Sequence, residues 1–84
     1  LSGELNTTVA DAQASIAAVR AEFEGKPGIT IDTLDGMTVE AQDWWFNLRP
    51  SNTEPLLRLN VEAADPQQME QVRDDVLAMI QAVG

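Results

Sequence analysis

Arg49, Ser51, Asn52 and Thr53 fall within five consecutive positions of the run RPSNTEP (49–55). The set holds no nucleophile beside a base, so its chemistry is recognition of an anion. Arg49 supplies a planar fork of donors matched to phosphate oxygens. Ser51 and Thr53 add hydroxyls, Asn52 adds an amide, and the backbone adds successive N–H groups. Asn52 also tolerates positive φ. A turn through such a residue can point neighbouring N–H groups inward as an anion-binding nest. Pro50 and Pro55 stiffen the two ends. Glu54 is expected to hold the loop's shape by bonding to its backbone, since a carboxylate repels an anion. The alternative is a polar loop whose Ser, Asn and Thr bond their own backbone. The residues by themselves leave both readings open.

Other chemistries are removed by what the chain lacks. There is no cysteine and no histidine, so disulfides, thiol nucleophiles and the commonest general base and metal ligand are absent. Asp74-Asp75 is a pair of like charges without further ligands, and no metal site is expected there. Five basic residues stand against 14 acidic ones, for a net charge of −9. Long-range attraction of nucleic acid or anionic lipid is therefore not expected. No apolar run approaches the roughly 20 residues needed to cross a bilayer. No signal peptide is visible, and lack of cysteine fits the cytoplasm. Asn6-Thr7-Thr8 matches a glycosylation sequon by chance, on this reading.

Something must hold the polar run in place, and the flanking segments have the right pattern. WWFNLR (44–49) and LLRLNVEA (56–63) alternate as strands. Leu57, Leu59, Val61 and Ala63 point one way, and Leu56, Arg58, Asn60 and Glu62 the other. Only one of Trp44 and Trp45 can face the core; the other is exposed or meets a neighbouring domain. Arg58 is read as a surface charge paired with Glu62 or Glu40, with a second phosphate contact as the alternative. Upstream, GELNTTV (3–9), ITIDTL (29–34) and MTVEA (37–41) also read as strands, with Asp35-Gly36 a strong turn signal.

Two helices complete the pattern. Asp11 caps the first, whose stripe is Ala12, Ile16, Val19 and Phe23 over about 13 residues. It stops at Gly25, with Pro27-Gly28 closing the exit. Asp65 caps the second, with Pro66 at the first helical position and Gln68 completing a capping box. Met69, Val72, Val76, Met79 or Ile80, and Val83 form its stripe. The expected architecture is α+β: a mostly antiparallel sheet with both helices on its apolar face. With 84 residues the chain reads as a single domain, 1–84. Its start at Leu1 rather than Met suggests a piece of a longer chain.

RPSNTEP followed by LLRLNVEA resembles the phosphate-binding loop and last strand of the C-terminal domain of the α-D-phosphohexomutases, the phosphomannomutases and phosphoglucomutases. SGELN (2–6), LDGMTV (34–39) and WWFNLR match in the same order. Asn52 stands where many members carry Gly. The resemblance implies a TATA-box-binding-protein-like fold, β-α-β4-α, which agrees with the element order read from the residues. It implies a parent isomerase that moves a phosphoryl group between O1 and O6 of a hexose through a phosphoserine. The phosphoserine and the magnesium ligands would lie in other domains of the same chain. No cofactor is expected in this domain, with Mg2+ in the parent enzyme.

By the same resemblance Arg49, Ser51, Asn52 and Thr53 would clamp the phosphate that is not transferred, and the domain would help close the cleft. The implied partners are a sugar phosphate and the other domains, with no nucleic acid and no membrane. The fragment alone should catalyse nothing. The alternatives are the same domain of a phosphoglucosamine mutase, or a non-catalytic interaction module that docks a protein on the sheet face around Trp45.

Overall fold

The computed structural model describes residues 2–83. The elements are β1 (Ser2–Thr8), α1 (Ala12–Phe23), β2 (Thr30–Asp32), β3 (Met37–Glu40), β4 (Trp44–Pro50), β5 (Leu56–Ala63) and α2 (Pro66–Val83). They build an α+β fold whose five strands lie in the order β1-β5-β4-β3-β2. Every pairing is antiparallel. The first strand thus closes the sheet beside the last, and the two strands that carry the polar run sit at its interior.

The alternation seen in the sequence is realised as burial. Phe46, Leu48, Leu57, Leu59 and Val61 are buried on one face of the sheet, with Met37 and Val39 beside them. Both helices cover that face. α2 lies over β5 and β1, α1 reaches β4, and the helices pack on each other. Val72, Val76 and Ile80 are the buried residues of α2, at steps of one helical turn. Met79 is only partly buried and Val83 is exposed, so Ile80 completes the stripe. Phe23 meets Trp44 and Phe46 edge-on, at 5.8 and 5.3 Å between centroids. Trp44 in turn stacks on Phe46 at 6.0 Å. Such ring pairs add about 0.5–1.5 kcal/mol each beyond their buried area. Trp44 is therefore the core-side tryptophan, and Trp45 lies on the opposite, helix-free face.

Local chemistry ends the elements. Asp11 Oδ1 accepts from Ala14 N at 3.1 Å, and Gly25 takes φ 82 just past the first helix. Asp65 Oδ1 accepts from Gln68 N at 2.8 Å. The Gln68 side chain makes no return bond among the described residues, so only half of the expected capping box forms. β2 is shorter than the 29–34 alternation predicts. Asp32 Oδ1 accepts from Leu34 N at 2.7 Å, a local turn that draws the chain out of the ladder.

One buried residue has no counterpart in the predicted stripes. Ser15, on α1, is 1% exposed. Its Oγ has no hydrogen-bond partner.

Candidate functional site: a polar loop and two facing arginines

The loop between β4 and β5 is organised by Ser51. Its N–H donates to Leu56 O at 3.0 Å, extending the ladder past the strand ends. Its Oγ accepts from Thr53 N at 3.3 Å and from Glu54 N at 3.2 Å. Leu56 N donates to Glu54 O at 2.8 Å, and Val9 N donates to Pro55 O at 2.9 Å, which ties the loop to the end of β1.

This differs from the nest in two ways. Among the described residues only glycines have positive φ, so Asn52 does not use the left-handed region. The Ser51 hydroxyl gathers the amides two and three residues on, from an ordinary backbone conformation, and no left-handed residue is required. Glu54 also acts through its backbone rather than its carboxylate. The amides of Ser51, Thr53 and Glu54 are therefore already engaged. What remains for an anion is the N–H and side chain of Asn52, the Thr53 hydroxyl and the Ser51 proton. Because Ser51 Oγ accepts two N–H groups, its own O–H is left to donate outward and is polarised for it.

The strands add the charge. Arg49 on β4 and Arg58 on β5 are cross-strand partners, one pair from the Pro50–Leu57 pair that leads into the loop. Both are exposed and lie on the helix-free face. Like charges directly opposite each other destabilise a ladder. Arg49 Nη2 has one acidic partner, Asp35 Oδ1 at 3.0 Å. Arg58 has no ion pair among the described residues. The expected pairing with Glu62 or Glu40 does not form. Glu62 shares its face but sits four residues along the strand, about 13 Å away at ~3.3 Å per residue. Glu40 pairs with Trp45, at the other end of the register. With Leu48, Leu57 and Leu59 all facing the core, the alternation permits Arg49 opposite either Leu56 or Arg58, and the sheet takes the second register.

The helix-free face is concave, with a volume of about 960 Å3 bounded in part by Glu4, Asn60, Asn47, Trp45, Thr38 and Arg49. Residues 51–55 lie beyond its lining, and Arg49 with its partner Asp35 links the concavity to the loop corner. The face is polarised. Trp45 stands between Glu40 and Glu62 in register, while the two arginines occupy the loop end. The described residues contain no group of three acidic side chains placed to hold a metal. Asp74 meets Arg73 at 3.1 Å, and Asp75 accepts from Gln71 Nε2 at 2.9 Å. No described helix is long and apolar enough to cross a membrane.

Known proteins share this sequence and fold. A phosphomannomutase of Escherichia coli is 45% identical over 80 residues, covering 94% of this chain and 17% of that protein. A phosphomannomutase of Methanocaldococcus jannaschii is 39% identical over 79 residues, with the same two coverages. The chain thus spans about a sixth of the length of the curated relatives it matches. Among solved structures, a phosphoglucomutase/phosphomannomutase family protein from Burkholderia thailandensis superposes with a TM-score of 0.70 at 29% identity, over 98% of this chain and 17% of that one. Residues 4–79 match the family described as phosphoglucomutase/phosphomannomutase, C-terminal domain, and the chain belongs to that family.

Proposed function

We propose that this chain is the phosphate-holding domain of a phosphohexomutase, an isomerase interconverting hexose 1-phosphate and hexose 6-phosphate. In this reading Arg49, Ser51, Asn52 and Thr53 grip the phosphate that is not being transferred, and Arg58 joins them from the facing strand. Pro50, Glu54 and Pro55 keep the loop in shape.

The observation that carries the reading is the Arg49–Arg58 pair across the ladder. Arg49 and Arg58 occupy facing positions, and Asp35 is the one acidic ion-pair partner of either among the described residues, so this corner carries a local cationic pair within a chain of net charge −9. A phosphate dianion placed between them turns a mutual repulsion into two charge-assisted contacts. The loop donors then fix its orientation.

The transfer chemistry belongs to the rest of the parent chain, as does magnesium. The parent's other domains are the partners of this one, and its hinge movement closes the cleft on the sugar phosphate. The choice among mannose, glucose and glucosamine lies with the recognition loop of another domain. In this reading the parent works in the cytoplasm. The 84-residue chain by itself binds without catalysing.

The test is an NMR titration of the chain with mannose 6-phosphate. Amide shifts are expected at residues 49–53 and 58, and Arg49→Ala should abolish them. Shifts clustered elsewhere, or unchanged in Arg49→Ala, would remove the basis for the assignment.

A further inference from the structure

We infer that Asp35 is an anion already seated at the phosphate site, which an incoming phosphate displaces from Arg49, so that Asp35 sets the affinity of the site. The inference rests on the reading that Arg49 holds phosphate. It begins from the contact of Asp35 Oδ1 with Arg49 Nη2 at 3.0 Å. This is the one ion pair made by either of the facing arginines among the described residues.

The contact is built into the fold. The Asp35-Gly36 turn between β2 and β3 is fastened to the neighbouring strand by Asn47 Nδ2, which donates to Asp35 O at 2.8 Å. The same Nδ2 also donates to Thr38 Oγ1 at 3.0 Å. On the other side the bond from Leu34 N to Asp32 Oδ1 sets the approach to the turn. Gly36 has φ 68, and a Cβ added to it would lie 2.7 Å from Arg49 Cγ. The turn backbone therefore rests on the stem of Arg49 with no room for a side chain between them. The Asp35 carboxylate, two torsions from this fixed backbone, stays beside the guanidinium at a high effective concentration.

The contact is also weak enough to yield. The Arg49 and Asp35 side chains are 52% and 73% exposed. Exposed pairs of this kind shift an equilibrium only about two- to fivefold. Asp35 brings one charge to one arginine. A phosphate dianion brings two charges to both arginines and takes the loop donors as well. Phosphate thus wins Arg49, but against a standing competitor. The displaced carboxylate stays on the anchored turn and adds a further repulsion.

The experiment titrates the 84-residue chain with inorganic phosphate and follows the amides of residues 51–53 and the Arg49 Nε–H signal. Asp35→Asn is the test variant. Asn-Gly is itself a strong turn sequence, so the hairpin is retained, and an unchanged amide spectrum outside residues 32–38 checks this. Asp43→Asn is the control. It removes the same charge six residues from Arg49 along the chain, about 20 Å at ~3.3 Å per residue. Asp35→Asn is expected to bind phosphate about two- to fivefold more tightly than the unchanged chain, with the gain shrinking as sodium chloride rises. Asp43→Asn should leave the dissociation constant within about 1.5-fold, because a charge that far off is screened. Equal or weaker binding by Asp35→Asn, with the unchanged chain still responding at 49–53, overturns the inference and leaves the phosphate reading standing. No response of the unchanged chain at 49–53 overturns both.

Discussion

Arg58→Gln should make the chain more stable and worse at holding phosphate. The stability gain comes from the ladder. Cross-strand Cβ atoms lie about 5 Å apart, and an approach of the two guanidinium groups to roughly 6 Å sets the upper bound of the effect. At that distance two unit charges in water repel by about 0.7 kcal/mol. Salt at 0.15 M reduces this to about 0.3 kcal/mol. For a domain of this size the gain raises Tm by about 1–5 °C. The affinity loss is larger. A dianion about 4 Å from an exposed guanidinium is held by about 2 kcal/mol in water, which is roughly 30-fold in Kd. Screening at 0.15 M cuts that to below about tenfold.

The assay pairs thermal melts without ligand against phosphate titrations at low and physiological salt. A structural arginine loses stability when it is removed. A ligand-holding arginine gains it and loses affinity. A lower Tm for Arg58→Gln, or a Kd within twofold of the unchanged chain at low salt, would refute the argument from the facing pair.

Two further outcomes concern the frame around the site. Ser15→Ala should stabilise the fold by about 1–2 kcal/mol in urea unfolding, because it removes a buried hydroxyl without a partner and improves helix propensity. Gly36→Ala should destabilise by about 2–3 kcal/mol, since it forces a side chain into φ 68 and against the Leu48 carbonyl and the Arg49 stem. Its phosphate affinity should fall as well, as the displaced stem carries Arg49 out of place, which a titration of the folded variant reads directly.

Where pattern decides structure, the sequence was a good guide. A period of two in LLRLNVEA can be satisfied only with Leu57, Leu59 and Val61 on a covered face, and that is where they lie. The same logic allowed only one tryptophan on the core face, and that one is Trp44, with Trp45 half-buried on the other face. What pattern could not show is how polar groups choose among partners of similar energy. Asn52 had a left-handed option available, but the Ser51 hydroxyl offered the loop a cheaper closure. Asp32 ended its strand early for the same kind of reason. Ser15 was invisible because a serine in an alanine-rich helix fits a solvated face as well as a buried one. The Asp35–Arg49 contact joins residues from different hairpins, and no local spacing announces it.

On the proposed reading, an acidic chain holds a phosphate because charge acts over short distances. At physiological ionic strength the Debye length is about 8 Å, while the molecule measures 32 × 26 × 24 Å. Glu70, Asp74 and Asp75 sit on α2, across the sheet from the arginines, and their fields are mostly screened before they reach the loop. An anion at the β4–β5 corner would meet Arg49, Arg58, Asp35, Glu54 and a few oriented dipoles, a local balance near zero where the chain as a whole carries −9. Net charge of −9 then discourages diffuse binding to polyanions, whose many phosphates would sample the whole surface. A single phosphate group sees only the corner. On that reading, selection for a small phosphorylated ligand over a nucleic acid follows from where two arginines face each other, with the rest of the surface acting as the excluding term.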